Sequence, residues 1–311
     1  MTYDPALVIL GAGPAGVGAA LAAAECGLDA LVVDAAAAAG GQVYRAMPET
    51  FEPADAAELG ADYLEGERQR RLLAASPVAT AFRRQIWSVG SDLRVDAVGP
   101  EGPESWRPRA IVVAAGTTER VVPFPGWTLP GVIGLAAATI LLKSQIMLPG
   151  TRTVVAGCGP LLAAVAHSVH KHGGSVAAVV DLAGAADWAT CLPAIGSRPR
   201  ELLRGASWLL ALRRAGVPVL FRHGIREVRE NGSGLEVGVG PVDAARRPRT
   251  GTGERTLRGD CLTVGHGLVP ATEVTRLLGA EHRYDAVAGG WIPILDADQR
   301  TTRGNLYAAG D

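Results

Sequence analysis

A short buried strand that runs straight into a glycine turn and a helix constrains this chain more than any other feature, and it occurs twice. Ala6–Leu10 is an unbroken apolar run, the pattern of a parallel strand covered on both faces. Gly11-Ala12-Gly13-Pro14-Ala15-Gly16 follows at once. An alanine-rich helix over about Pro14–Cys26 comes next, Gly27 ends it, and a second strand, Ala30–Val33, closes on Asp34. Gly11 allows the sharp turn out of the strand. Gly13 lets a pyrophosphate reach the backbone, and Gly16 lets the helix pack closely on the strand. Free N–H groups at the helix start, with Pro14 and Ala15 in its first turn, then face the phosphates. Asp34 stands ~20 residues on, where an acid accepts hydrogen bonds from ribose hydroxyls. The frame of strand, turn, helix, strand and acid predicts a dinucleotide-binding module, and a lone GxGxxG would not.

The second copy starts at Gly150. Thr151–Ala156 is a buried strand, Gly157-Cys158-Gly159-Pro160-Leu161-Leu162 the turn, and a helix runs to about His172. Gly173-Gly174, a strand over Ser175–Val180 and Asp181 complete it. Gly157, Gly159, Pro160, Leu161 and Asp181 are the candidate residues of a second nucleotide site. Leu162 replaces the third glycine, and a side chain there is expected to push the helix off the strand and crowd a pyrophosphate. Asp181 favours an unphosphorylated ribose, hence NAD over NADP, if a dinucleotide binds. NAD(H), another nucleotide and a vestigial fold remain open for this module.

A formal net charge of -1 gives no electrostatic footprint for nucleic acid or an anionic membrane, so arginine groups such as 68–71 and 246–249 read as solvated surface. No apolar run reaches the ~18 residues of a membrane span, no signal peptide precedes the first strand, and a cytoplasmic setting is expected. Cys26, Cys158, Cys191 and Cys261 have no CxxC spacing, which argues against a disulfide scaffold, a zinc site and a redox-active pair. Cys26 and Cys158 read as small buried hydrophobes. His167, His170 and His172 do not share one helix face and read as solvated, not as a metal site.

Between the copies, a helix over about Ala56–Ala75, strands near Gln85–Val89 and Leu93–Val98, a hairpin loop from Gly99 to Pro108 and a buried strand Ala110–Ala114 are expected. Prolines 123, 125 and 130 suit a domain junction. Beyond the second copy come a helix over Glu201–Arg214, strands near Val217–Phe221, Gly224–Glu230 and Leu235–Val239, a surface loop over Pro241–Arg255 and a strand over Asp260–Gly265.

Further segments carry a resemblance. Gly40-Gly41-Gln42-Val43-Tyr44-Arg45 resembles the GGQ loop of two-module flavoproteins such as the thioredoxin-reductase-like group. Ala115-Gly116-Thr117, after the strand Ala110–Ala114, resembles their ATG motif. His266–Thr272 resembles the turn leading back to the flavin module, and Tyr307-Ala308-Ala309-Gly310-Asp311 their third FAD motif. Together with LPGV (129–132), VGHGLVP (264–270) and TRLLGAEHRYDAVAGGW (275–291), the whole set is similar to the large flavin subunit of opine oxidases, hydrogen cyanide synthase and D-hydroxyproline dehydrogenase.

The resemblance implies an α/β fold of two Rossmann-like, three-layer ββα modules, the second inserted in the first. Residues 1–120 and 262–311 form the FAD-binding domain and 121–261 the NAD(P)-binding-like domain. It implies FAD held by Gly11, Gly13, Pro14, Ala15, Gly16, Asp34, Gly41, Gln42, Arg45, Ala115, Gly116, Gly310 and Asp311. Gln42 is expected at the isoalloxazine edge, Arg45 at a phosphate or substrate carboxylate, and Asp311 at a ribityl hydroxyl. His266 is either a packing histidine or a proton carrier facing the flavin. The implied activity is oxidation of a C–N bond in an amino-acid-like substrate, with a second flavin subunit and an iron–sulfur protein or domain as partners. Two alternatives stay open: a stand-alone NAD(P)H-dependent reductase of a ferredoxin-like carrier or quinone, and a non-catalytic nucleotide-binding scaffold. The sequence ends at Asp311 without the helix expected after that aspartate and without a cysteine cluster, so a truncated FAD module is expected.

Overall fold

The computed structural model describes residues 4–48, 50–51, 60–184, 186–187, 199–232, 234–249, 251 and 253–310. Asp311, Cys191 and residues 56–59 of the expected helix lie outside them. The chain divides into two compact units, unit 1 of residues 1–118 with 268–311, and unit 2 of residues 119–267.

Up to the boundary, the chain runs through β1 (Leu7–Leu10), α1 (Pro14–Glu25), β2 (Ala30–Asp34), α2 (Ala61–Ala75), β3 (Ala79–Phe82), β4 (Gln85–Val89), β5 (Val95–Gly99), β6 (Gly102–Trp106), β7 (Ala110–Val113) and β8 (Thr117–Glu119). Unit 2 adds β9 (Val132–Gly134), α3 (Leu135–Ser144), β10 (Arg152–Gly157), α4 (Leu161–Lys171), β11 (Ser175–Asp181) and α5 (Pro199–Arg214). It then runs through β12 (Val219–Phe221), β13 (His223–Asn231), β14 (Gly234–Pro241), β15 (Arg255–Gly259) and β16 (Cys261–Gly265). Back in unit 1 lie β17 (Leu268–Pro270), α6 (Glu273–Leu277), β18 (His282–Asp285), β19 (Gly290–Pro293) and β20 (Leu306–Ala308).

Unit 1 is a five-stranded parallel sheet in the order β20-β7-β1-β2-β3. Strand alternation splits its apolar side chains between two layers. Val8, Leu10, Leu31, Val33, Ile111 and Val113 pack against the antiparallel meander β4-β5-β6 through Val89, Val95, Ala97 and Trp106. Ile9 and Val32 face the other way, against Val17, Ala20 and Ala23 of α1 and Leu73 of α2. Pro14 stands at the start of α1, where a missing N–H costs nothing. Gly27 ends the helix at φ 66°, with Leu28 N–H donating to Ala23 O and Gly27 N–H to Ala24 O.

Unit 2 repeats the plan. Its parallel sheet has the order β12-β11-β10-β16-β9, and Val154, Ala156 and Leu262 pack on the meander β13-β14-β15 through Val228, Val237 and Val239. Val155 packs on the helical side with Leu135, Leu162, Val165 and Leu212. Both sheets place their meander at the same point of the strand order. They differ in the fifth strand, which comes from the last described residues in unit 1 and from the segment before β10 in unit 2. The fold is therefore α/β with Rossmann-type, three-layer modules.

Several expectations need correction. The Gly99–Pro108 stretch is no open loop: Gly99 pairs with Gly102 across a tight turn at Pro100-Glu101, and Gly102–Trp106 forms the third meander strand. The end of the Pro241–Arg255 loop likewise leads into a paired strand, β15. Cys26 caps the exposed end of α1 and is solvent-exposed, not buried, while Cys158 is half-buried and Cys261 buried. His167 is half-buried against the Trp208 ring, whereas His170 and His172 are exposed. No helix among the described residues is long and apolar enough to cross a membrane.

Candidate functional site

In unit 1 the glycine turn lies at the carboxyl ends of β1, β7 and β20, where open α/β sheets hold ligands. Gly11 sits at φ +104° against the Ala114 carbonyl and the Ala115 backbone, and a Cβ there would overlap the carbonyl oxygen. A Cβ on Gly16 would overlap the Gly11 carbonyl, so the first turn of α1 rests directly on the strand end. Val17 N–H donates to Gly13 O at 2.9 Å, closing that turn, and no side chain caps the helix start. The N–H groups of Ala15 and Gly16 therefore remain available to an anion, and no acidic residue in the first turn competes.

Asp34, at the end of β2, accepts from Ala12 N–H at 2.6 Å and from Ala36 N–H at 2.7 Å, one bond to each oxygen. This ties the acid to the turn, and each oxygen keeps a second lone-pair site for a ribose hydroxyl. Gly41, at φ +57°, lies on Gly13: a Cβ would come 2.8 Å from the Gly13 Cα. Gly40 N–H donates to Ala12 O at 2.8 Å. Gly310, at φ +108°, reaches the same edge, 3.3 Å from Ala15 Cβ if it carried a Cβ, and Ala309 N–H donates to Val113 O. Ala115 is exposed on this edge, and Gly116, at φ +68°, accepts from Ala271 N–H. Gly11, Gly13, Ala15, Gly16, Asp34, Gly41, Ala115 and Gly310 thus lie round one backbone-lined turn, while Gln42 and Arg45 contact each other and Asp311 lies outside the described residues.

Sequence reasoning missed one residue of this cradle. Arg70 of α2 donates to the carbonyls of Ala39 at 3.0 Å and Tyr44 at 2.8 Å, and pairs with Glu67 at 2.7 Å. It pins the Gly40–Tyr44 loop. A charged helix arginine carries no sequence signal for such a task. Within the loop, Gln42 is exposed and its Oε1 accepts from Arg45 Nη2 at 2.9 Å.

The matching turn of unit 2 differs. Gly157, at φ +138°, is pressed on Gly265, whose carbonyl accepts from Cys158 N–H at 2.8 Å. Gly159, at φ +98°, has open space where a Cβ would stand. Leu162 is 1 % exposed and fills the helical core of the unit, so its side chain points into protein and not toward the turn. The expectation that it crowds a pyrophosphate is thus revised: the side chain is turned into the core. Leu162 N–H reaches Gly159 O at 3.3 Å and Ala164 N–H reaches Pro160 O at 3.4 Å. Leu161 opens the helix half-exposed, just after Pro160. Asp181 is 4 % exposed, and its Oδ1 accepts from Ala183 N–H at 2.9 Å.

Burial raises the Cys158 thiol, and the Asp181 carboxylate adds to the effect. The buried Cys261 thiol is pushed up to about 12. Neither is poised as a thiolate. His266 lies just past β16, its imidazole held below the usual range by burial and then by Arg120, whose backbone N–H donates to Gly267 O. Glu119, also unselected from sequence, accepts from Ala136 N–H at 2.7 Å at the start of α3, in space left by Gly134.

Residues 5–311 match the family described as pyridine nucleotide-disulphide oxidoreductase. The chain belongs to this family. Membership implies an FAD-binding protein, in keeping with the cradle of unit 1. The chain is 34% identical over 309 residues to one of the opine oxidase subunits of Rhizobium meliloti (strain 1021), covering 98% of this chain and 65% of that protein. It is 33% identical over 308 residues to the HcnB subunit of hydrogen cyanide synthase from Pseudomonas aeruginosa, again covering 98% and 65%. The chain therefore spans about two thirds of the length of these relatives. The T. acidophilum thioredoxin reductase structure has the same fold, with a TM-score of 0.63 at 19% identity over 99% of this chain and 90% of that one.

Proposed function

We propose that unit 1 holds FAD through Gly11, Gly13, Pro14, Ala15, Gly16, Asp34, Gly41, Ala115, Gly116, Gly310 and Asp311. On this proposal the chain is the electron-transferring flavin subunit of a dehydrogenase or oxidase complex. The bound flavin supplies the redox chemistry; the chain's residues bind it, orient it and shield it. The observation that carries the reading is the cradle itself, in which Gly11, Gly16 and Gly41 are required by close backbone contacts and the helix start is left uncapped. Kinship with the opine oxidase and hydrogen cyanide synthase subunits supports an amino-acid-like substrate such as an opine, hydroxyproline or glycine, oxidised at a C–N bond. A second flavin subunit and an iron–sulfur protein or domain would complete the pathway of electrons.

Leu162 in place of the third glycine speaks against a self-sufficient NAD(P)H reductase, since the fingerprint uses a glycine there for close helix–strand packing. Anaerobic mixing decides between the readings. The proposal expects flavin bleaching by an amino-acid-like donor only after a second subunit is supplied, and none by NADH alone. Rapid bleaching by NADH alone would overturn it in favour of the reductase.

A further inference from the structure

The hairpin of β18 and β19 lies in unit 1 outside the glycine turn, and one of its edges is unpaired. Arg283 pairs with Ile292 and Tyr284 with Trp291, and Ile294 N–H donates to Glu281 O at 2.9 Å. Bonded and non-bonded pairs alternate along an antiparallel ladder. The backbone N–H and C=O groups of His282 and Tyr284 therefore point away from β19. No third strand pairs with β18 among the described residues. Tyr284 is 58% exposed, Trp291 50% and Val287 fully, and the two rings meet edge to face at 5.9 Å. Arg283 and Asp285 share the other face, where Arg283 Nη1 donates to Asp285 Oδ2 at 2.8 Å. Asp285 also accepts from Val287 and Ala288 N–H, which fixes the turn. An unpaired strand edge is a template for another strand, and a lysine, a proline or a bulge commonly blocks it. His282–Asp285 holds neither residue type, and its register is regular.

We propose that β18 pairs antiparallel with β18 of a second copy of this chain, about a two-fold axis at Tyr284. The charges choose both the occupant and the register. An axis through Arg283 or Asp285 would set like charges directly opposite each other, which destabilises a sheet. An axis through His282 would leave Asp285 and the Tyr284 ring outside the paired stretch. An axis through Tyr284 sets Arg283 opposite Asp285 of the partner subunit, and Asp285 opposite the partner's Arg283. Each charge then lies between two of opposite sign. The same register makes Tyr284 and Tyr284 of the partner subunit a bonded pair through the groups that point away from β19, and it brings the two Tyr284–Trp291 ring pairs together. A two-fold contact needs a self-complementary patch, and Arg-Tyr-Asp laid against itself in reverse supplies one. The contact area is that of a short strand and a few apolar side chains, so the dimer belongs to the weak class and forms at about micromolar concentrations. The proposal is independent of the cofactor that unit 1 holds.

The test is sedimentation of the full chain from about 1 to about 200 μM, in wild type, Y284P, R283D and D285R. The wild type should pass from monomer to dimer across this range. Y284P removes an N–H that the hairpin itself does not use, as Pro293 already does on β19, and should weaken the dimer at least about tenfold while the chain stays folded. R283D and D285R each set like charges across the axis and should be monomeric alone. An equimolar mixture of the two should dimerise, because every facing pair in the mixed dimer is then of opposite sign. An Arg283–Asp285 pair that serves only its own hairpin gives no such rescue. Tyr284→Cys in a Cys26→Ser background should link two chains through position 284 on oxidation, since a bonded pair sets the two Cα atoms at about 5.5 Å, and the Cys26→Ser parent should not. This cross-link decides the matter if D285R fails to fold. A wild type that stays monomeric to the highest concentration, a dimer indifferent to Y284P or to R283D, or Tyr284→Cys chains that do not cross-link at position 284 overturn the inference.

Discussion

The two units carry a glycine turn at the same place in the same five-stranded plan, yet the two turns differ in geometry. Gly16 lets α1 rest on the Gly11 carbonyl and closes a 2.9 Å first turn. Leu162, in the equivalent place, is a core side chain at 1 % exposure, packed with Leu135, Val155 and Val165. The acids differ too. Ala12 N–H in the first turn donates to Asp34, whereas the matching Cys158 N–H donates to the Gly265 carbonyl. The same position thus lets the helix rest on the strand end in unit 1 and fills the core in unit 2.

Exchanging those residues should break the contrast most. Gly16→Leu puts a side chain into the Gly11 carbonyl, and a loss of more than about 4 kcal/mol of stability is expected, with FAD uptake abolished. Leu162→Ala empties a buried core position and should cost about 3 kcal/mol while FAD uptake survives. Urea unfolding with flavin titration checks both, and a Gly16→Leu chain that still binds FAD would remove the distinction between the turns. Next in size, Asp34→Asn should weaken FAD about tenfold, and Asp181→Asn should leave it unchanged.

A third effect separates the units by pH. His167 and His266 both lie in unit 2 with imidazoles held low, chiefly by burial. On unfolding each returns to about 6.5, so the unfolded chain binds more protons just below that pH. Stability therefore falls as pH drops through about 6.5 toward the lower folded values. The thermal midpoint should decline as the pH is lowered through that range, and less so in a His167→Gln, His266→Gln double variant. The smallest effect sharpens the picture of unit 2 as a packed body. Thr153 and Thr263 lie on adjacent strands at 0% exposure with unpartnered hydroxyls, and Thr→Val at either should stabilise by up to about 1 kcal/mol, read as a shift in urea midpoint.

The parallel strands β1, β2, β10 and β11, the helices α1 and α4 and both acids are legible in the sequence because turn, helix and apolar run coincide within about 25 residues each, while the parallel strand β3 is not. The meander strand Gly102–Trp106 is not, since its alternation is broken by glycine and proline and its burial comes from a distant sheet. Helix α3 and strand β9 escape notice because Val132–Leu142 is uniformly apolar, without the periodicity that separates helix from strand. At the cradle, the glycines announce themselves, while Arg70 does not. Its role depends on a loop far back in sequence, and its own helix gives it an ordinary Glu67 partner.

The most direct test of FAD binding in unit 1 is the visible spectrum of the purified chain after incubation with FAD, with the retained cofactor released and quantified. Flavin bands with stoichiometric FAD in wild type, absent in Gly16→Leu and kept in Leu162→Ala, are the predicted result. A wild-type chain that stays colourless, or flavin retained in Gly16→Leu and lost in Leu162→Ala, would contradict the assignment of FAD to unit 1.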